Sequence, residues 1–422
     1  MDIPREGPGP GETGGVPRRI LHVDCDAFFV QVARLEDPEG AGRTKLLIVG
    51  GSASGRGVVT SASYEARAYG VRSAMPTGQA LRLCPRATVV SVPRGAVSRR
   101  SASVREALED LAPVVEAASV DEFYLDLTGT ERLFRGESLA ETAERIRRTV
   151  LERTSISSSV GGGSNRLVAK LATSRAKRAG VHVVPPGTER AFLREHELGD
   201  IPGVGPALLQ ALAAKGLRTV EDAVTVQDEW LVRWFGPRRA AWLHDRLRGF
   251  GAEDVDPERE RKSISSERTF HEDIGDDERL DAELLRLSES VGSSLRRQGL
   301  RTRTITVKLR DHDFKTRQRA TTLKEAVESD RAIRAAARPL LRDLRAARRV
   351  PARLLGVGLT GFEAGDAPRQ LGLFAGPATA PESDRERELS RAVDEVRDRF
   401  GKRAVTPGLL TKYSRKERDD GE

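Results

Sequence analysis

His22-Val23-Asp24-Cys25-Asp26-Ala27-Phe28-Phe29 is the stretch on which the reading of this 422-residue chain turns. An apolar strand over Arg19–Val23 ends in Asp-x-Asp and runs straight into a helix over Ala27–Leu35, where Phe28, Val32 and Leu35 recur at helical spacing. A second acidic pair sits in Ser119-Val120-Asp121-Glu122-Phe123, at the turn of an expected hairpin between Val114–Ala118 and Phe123–Leu127. In its second strand Phe123, Leu125 and Leu127 alternate with Tyr124, Asp126 and Thr128. Acidic groups gathered at strand ends repel one another and lose solvation unless a cation lies between them. Carboxylates and backbone carbonyls are hard oxygen donors, which favour Mg²⁺ over zinc. Phosphoryl or nucleotidyl transfer uses two such ions roughly 3.5–4 Å apart. Each motif also has a plain structural reading. Asp26 is well placed as a helix N-cap, and Asp-Glu is ordinary in a hairpin turn.

A third signal favours the chemical reading. Ser63-Tyr64-Glu65-Ala66-Arg67-Ala68-Tyr69-Gly70-Val71-Arg72 puts Tyr64 and Arg67 three apart on one helical face. A phenol and a guanidinium together make a phosphate clamp, the arginine through its fork geometry. Composition points the same way. Hydrophobic residues make up 38% and charged residues 32%, with a formal charge of +8 and a pI near 9.7, which suits a polyanionic partner. Apolar runs of only a few residues argue against a transmembrane helix, and no charged-then-apolar leader opens the sequence. Cys25 and Cys84 are too few for a disulfide framework, and the six histidines are scattered. A nucleic-acid-handling protein of the cytoplasm, without a membrane role, is the expectation.

Residues 1–17 are nearly all Gly, Pro and charge, and are expected to be disordered. Lys45–Val49 reads as a strand followed by a Gly/Ser loop at 50–57, and helices are expected over 137–152, 165–179 and 205–215. Interleaved strands and helices suggest an α+β or α/β body. Residues 249–262 read as a tether, and Gly/Ala/Pro-rich linkers occupy 364–368 and 375–381. Between them, 261–363 carries 23 Lys/Arg against 16 Asp/Glu, nearly the whole basic excess of the chain. Asp200-Ile201-Pro202-Gly203-Val204-Gly205-Pro206 precedes an apolar helix; such a turn, through Gly203 and Gly205, exposes backbone N–H groups to phosphate. Strand 301–310 is expected to turn Arg301, Arg303 and hydroxyls to one side, with Lys308 and Arg310 further along, as a phosphate track.

HVDCDAFF, then SYEARAYGVRSAMP, then SVDEFYLDLTG, in that order, resemble the Y-family DNA polymerases, in their bacterial DinB or DNA polymerase IV branch. The resemblance covers about residues 19–362. It implies a multidomain α+β right-hand polymerase. Its ferredoxin-like palm would span 18–34 and 93–185, its fingers 35–92 and its thumb 186–250. A linker at 251–260, an α/β little finger at 261–363 and a tail at 364–422 would follow. It further implies that Asp24, Asp121 and Glu122, with the Cys25 main-chain carbonyl, hold two Mg²⁺ ions, and that Asp26 is not a principal ligand. Tyr64, Arg67 and Lys177 match the triphosphate-binding groups. The Lys177 segment departs from the family's Lys-Pro-Asn-Gly ending, so neighbouring Arg175 and Arg178 compete for that role. Phe28 and Phe29 flank the nucleotide, Phe29 as the steric gate that excludes a 2′-hydroxyl.

Gln370-Leu371-Gly372-Leu373-Phe374 is similar to the pentapeptide by which bacterial polymerases dock on the sliding clamp, the β subunit, with Gln370, Leu371, Leu373 and Phe374 making the contact. The expectation is therefore a monomeric, template-directed polymerase acting on primer-template DNA and dNTPs. It would perform error-prone translesion synthesis without a proofreading exonuclease. Two rivals are a non-catalytic DNA-damage scaffold of the same fold and another two-metal enzyme on a similar palm, such as a nucleotide cyclase. Intact Asp24, Asp121 and Glu122 argue against the first, and the basic domain against the second.

Overall fold

Strand β1 (Ile20–Cys25) leads into helix α1 (Phe28–Glu36) through Ala27, whose φ of 44° places it in the left-handed region. Asp26 therefore does not cap the helix, and no side chain does. α1 is buried on two sides: Phe28 and Val32 enter the core of the main sheet, while Val30 and Ala33 enter that of the following insertion. The computed structural model describes residues 18–133, 136–250, 254–258, 260–365, 381–401 and 404–414. The chain divides into two compact units, Met1–Arg259 and Glu260–Glu422.

The insertion folds as a small sheet in the order β3-β2-β4, from β2 (Leu47–Gly50), β3 (Val59–Ala62) and β4 (Thr88–Val90), with helices α2 (Tyr64–Ala68) and α3 (Thr77–Leu83). Next come α4 (Arg94–Glu109), β5 (Val114–Ala117), β6 (Glu122–Asp126), α5 (Leu139–Thr154), β7 (Ser158–Gly163), α6 (Arg166–Ala176) and β8 (Val181–Val183). The main sheet runs β5-β6-β1-β7-β8, with β1 antiparallel to both β6 and β7. The succession β1-α4-β5-β6-α5-β7 is the β-α-β-β-α-β order of a ferredoxin-like layer.

Period-two alternation decides what each face of this sheet carries. Leu21, Val23, Phe123 and Leu125 point to α4 and α5, packing with Val104, Leu108, Ile146 and Val150. Ile20 and His22 turn to the other face, beneath α6, together with Tyr124 of β6. The alternation expected across β6 holds, but Tyr124 is 6% exposed and packs under α6 rather than facing water. α6 comes unusually close. A Cβ on Gly161 would lie 2.2 Å from the Ala169 carbonyl oxygen and 2.2 Å from the Thr173 nitrogen, so only glycine admits the helix at that distance.

The rest of the first unit is helical: α7 (Glu189–Arg194), α8 (Pro206–Ala213), α9 (Val220–Val224), α10 (Asp228–Phe235) and α11 (Pro237–Leu247), around a core that includes Leu193, Leu212, Leu231 and Leu243. Of the expected tether, residues 254–256 are docked. Arg166 donates to the Asp254 carbonyl at 3.0 Å, the Asp256 N–H donates to Glu116 at 2.9 Å, and Val255 is buried beside Tyr124.

In the second unit an antiparallel sheet, ordered β11-β10-β12-β9, is built from β9 (Ser263–Ile274), β10 (Leu300–Asp311), β11 (Thr316–Val327) and β12 (Ala352–Ala364). Helices α12 (Asp277–Arg296) and α13 (Asp330–Ala347) share its core with Ile305, Val307, Leu309, Leu355 and Val357. The C-terminal segment is not a bare tail. Helix α14 (Asp384–Phe400) is tied on by Asp394, which accepts from the 5% exposed Arg296 at 2.7 Å, and by Arg397, which donates to Glu289 at 2.9 Å. Buried Glu382 accepts the Ser329 N–H at 2.8 Å, and a short helix α15 (Gly408–Ser414) buries Leu410. No helix among the described residues is long and apolar enough to cross a membrane.

Gly161→Ala is expected to destabilise the first unit by on the order of 1–3 kcal/mol, because the methyl meets backbone that cannot swing aside. Gly95→Ala, whose methyl meets only the Arg99 side chain at 3.5 Å, serves as the control. Equal denaturant midpoints for the two variants would refute the packing argument.

Candidate active site

Asp24 and Glu122 face each other across β1 and β6, a pairing of like charges that destabilises a sheet when left alone. Helix α6 supplies the answer. Lys170 and Lys177 are seven residues apart, about two turns, and so leave the helix on one side. Lys170 Nζ lies 2.6 Å from Glu122 Oε1, and Lys177 Nζ lies 2.7 Å from Asp24 Oδ1 and 3.1 Å from Asp26 Oδ1. Burial pushes the Asp24 carboxyl above the usual carboxylate range, with Glu122 and Asp121 adding to the rise against the pull of Lys177. Burial also works against the Lys177 ammonium, but Asp24 and Asp26 outweigh it and its pKa is raised. Both directions reflect a half-buried pocket crowded with carboxylates.

Asp26 is 5% exposed and is the hub behind this pocket. It accepts from Ser159 Oγ at 2.8 Å, the Ala179 N–H at 2.9 Å, Tyr64 Oη at 3.0 Å and Lys177 Nζ at 3.1 Å. Tyr64 opens α2 behind a Ser63 cap, and the Arg67 guanidinium lies 5.0 Å from the centre of its ring. A continuous series thus links Asp24, Lys177, Asp26, Tyr64 and Arg67. Arg175 stands apart, paired with Glu195 at 2.6 Å and stacked on Phe192. Arg178 instead lies 4.3 Å from the centre of the Tyr64 ring.

Asp121 is joined to β1 through its carbonyl, which accepts the Cys25 N–H at 2.9 Å, while its carboxylate accepts from Ser119 Oγ at 2.5 Å. The Cys25 thiol is buried, and burial together with Asp121 and Asp24 pushes its pKa well up, so it stays protonated. His22 lies beneath Glu122 with Nδ1 2.9 Å from Thr173 Oγ1, and burial plus Lys170 holds it neutral. Among the described residues no group of three or more His, Cys, Asp and Glu side chains is gathered closely enough to hold a metal ion. The donor set itself fits a hard divalent cation: three carboxylates on adjacent strand ends, two of them already drawing ammonium groups.

Phe28 is a correction to expectation. At 1% exposure it is a core residue and presents no surface to a nucleotide. Phe29, half-buried, packs edge-on against it with ring centres 5.9 Å apart. Gly203 adopts φ 98° with its α-carbon pressed against Trp242, where a Cβ would come within 2.5 Å of the ring, and Gly205 forms the N-cap of α8. Tyr124, Arg166, Lys170, Gly203, Trp242 and Arg246 line a cavity of about 300 Å³.

In the second unit Arg301 is 4% exposed and donates to the Ala364 carbonyl, so it does not share an outer face with Arg303. Arg301 has the same parity as Ile305, Val307 and Leu309, which β10 turns to the core, and the β10–β11 register shifts just beyond it, between Thr302 and Thr304. Arg303 is exposed, beside Glu363, while Lys308 pairs with Glu267 and Arg310 donates to Thr316. Gln370, Leu371, Leu373 and Phe374 lie outside the described residues. Sequence reading missed Lys170 and the hub role of Asp26. The seven-residue spacing back from Lys177 was the available signal for the first.

Comparison with known proteins bears on this geometry. Residues 23–174 match the impB/mucB/samB family, and residues 261–373 match the impB/mucB/samB family C-terminal domain. A DNA polymerase IV from Alkalilimnicola ehrlichii is 40% identical over 85% of this chain and 99% of its own length. One from Caulobacter vibrioides is 36% identical over 93% of this chain and 94% of its own. Among solved structures, a Y-family DNA polymerase chimera, Dbh-Dpo4(243-245)-Dbh, superposes with a TM-score of 0.73 at 26% identity, over 81% of this chain and 98% of its own. An insertion ternary complex of Dbh DNA polymerase gives 0.58 at the same identity and coverage.

The raised Asp24 pKa sets a testable pH dependence. A carboxyl whose folded value exceeds its unfolded value near 3.9 favours folding below that value and loses the contribution as pH rises through the folded one. Asp24→Asn is therefore expected to gain stability relative to the parent as pH rises from about 4 to 7. Lys177→Met is expected to lose on the order of 1–3 kcal/mol at pH 7, and less as the carboxylates protonate. Denaturant midpoints taken across that range check both, and a pH-independent difference for either variant would contradict the charge balance.

Proposed function

The chain belongs to the impB/mucB/samB family and is a DinB-type Y-family DNA polymerase, and from that premise we propose how its residues divide the work. The observation that carries the assignment is the facing pair Asp24–Glu122, neutralised by Lys170 of α6 and by Lys177 at its C-cap, and joined through Asp26 to Tyr64 and Arg67. Asp24, Asp121, Glu122 and the Cys25 carbonyl would hold two Mg²⁺ ions, which when bound would neutralise the charge developing on the transferred phosphoryl group. Tyr64, Arg67 and Lys177 bind the triphosphate of the incoming dNTP. To do so its flexible stem would carry the Lys177 ammonium away from Asp24 and Asp26. The primer 3′-hydroxyl loses its proton to solvent and attacks the α-phosphate; the new P–O bond forms as the α–β anhydride bond breaks, and pyrophosphate leaves. His22, held neutral under Glu122, adds no charge to this centre.

Phe29 stands at the sugar and denies space to a 2′-hydroxyl. Residues 18–34 and 93–185 form the palm, 35–92 the fingers, 186–250 the thumb and 261–363 the little finger, joined by 251–260. The turn at Gly203 and Gly205 offers N–H groups to a phosphodiester strand, and the cavity beneath it, with Arg166, Lys170 and Arg246, receives the backbone beside the primer end. Arg303, Lys308 and Arg310 contact phosphates in the second unit, and Arg301, being buried, does not. Gln370–Phe374 docks on the sliding clamp, raising the local concentration of enzyme at the primer end. The enzyme works as a monomer in the cytoplasm, copies past damaged bases with frequent error, and has no proofreading exonuclease.

Extension of a primed template with Mg²⁺ tests the assignment. The parent chain is expected to add templated dNTPs, and Asp121→Ala to lose at least about 10³-fold in rate. With ribonucleotides supplied, only Phe29→Ala is expected to extend. Tight, salt-sensitive DNA binding by a parent chain that never extends a primer would mark a scaffold instead.

A further inference from the structure

Arg178 stands one residue past Lys177, in Lys177-Arg178-Ala179-Gly180. Its guanidinium lies 4.3 Å from the centre of the Tyr64 ring, and that of Arg67 lies 5.0 Å from the same centre. The loop that carries it is pinned at its backbone. The Ala179 N–H donates to Asp26 Oδ2 at 2.9 Å and to Ser159 Oγ at 3.0 Å, and the Gly180 carbonyl accepts from Val160 at 3.0 Å. Asp26 also holds the Tyr64 hydroxyl at 3.0 Å, so one buried carboxylate fixes both the phenol and the loop beside it. Among the described residues no carboxylate pairs with the Arg178 guanidinium. An arginine held over an aromatic face keeps its N–H fork in the ring's plane of approach and remains open to an anion. Arg175, by contrast, is already paired with Glu195 and faces Phe192.

We propose that Arg178 is a further binding residue for the triphosphate of the incoming nucleotide, stacked on Tyr64 and donating to a phosphate oxygen beside Lys177 and Arg67. The proposal rests on the polymerase reading above. It adds a third cation to Arg67 and Lys177 at the nucleotide. A dNTP carries its negative charge on the triphosphate, so the gain belongs to nucleotide affinity and not to the chemical step or to duplex binding.

Single-nucleotide insertion by the full chain, with dNTP concentration varied on a fixed primer-template, tests this. Arg178→Ala is expected to raise KM for dNTP by on the order of ten-fold with kcat within about two-fold of the parent. The inhibition constant for pyrophosphate is expected to rise in parallel. Arg178→Lys, which keeps the charge but loses the fork, is expected to recover part of the loss. Primer-template affinity and thermal midpoint are expected to stay at parental values, as is KM for Arg175→Ala. A parental KM for Arg178→Ala overturns the proposal, as does a variant in which kcat, DNA affinity and thermal midpoint fall together. A parent chain that extends no primer at all would instead overturn the polymerase reading beneath it.

Discussion

The carboxylates of Asp24 and Glu122 are opposed across two hydrogen-bonded strands, and the arrangement of the first unit follows from making that tolerable. Strand alternation forces both onto the face away from α4 and α5, because their neighbours Val23, Cys25 and Phe123 are committed to the apolar core. The compensating charge has to arrive from the element covering the other face, and α6 delivers it at two points. Asp26 faces the same demand one step past the strand, and meets it with a lysine, two hydroxyls and a backbone N–H. Stability alone would favour replacing such a cluster with apolar groups. The ligand role proposed for these residues is what would account for such a cluster in the interior.

Much of this was legible in the amino-acid order. Apolar runs ending in Asp-x-Asp and Asp-Glu announce strands with acidic ends, and the three-residue spacing of Tyr64 and Arg67 announces a shared helical face. What escaped depends on long-range partners. Asp26 reads as a cap because Asp before a helix usually is one, and only the fold brings Ser159, Ala179 and Tyr64 around it. Phe28 shares a helical stripe with Val32 and Leu35, a core signal that its place beside the acidic pair overshadowed. Arg301 has the same parity as Ile305, Val307 and Leu309, so the alternation that buries them buries it too, and its charge hid this in the sequence.

The second unit shows a different limit. Its C-terminal segment reads as a charged helix without a partner, and its composition offers no apolar face broad enough to predict docking. It is held mainly by ions and hydrogen bonds set into gaps of the preceding fold: Arg296 between Asp330 and Asp394, and Glu382 at the head of α13. Complementary charges dispersed over a hundred residues of chain leave no periodic trace.

The close contact between Gly161 and α6 has a mechanical meaning. Most helices rest on a sheet through a layer of side chains, which yields by rotating about its bonds. Here backbone lies on backbone, and there is no such cushion. The helix that carries Lys170, and that ends in Lys177, has no slack along β7 and no room to rock. Whatever adjustment the ammonium groups make must come from their own flexible stems. The missing side chain of Gly161, where α6 crosses β7, is therefore what makes the charged end of the sheet stiff.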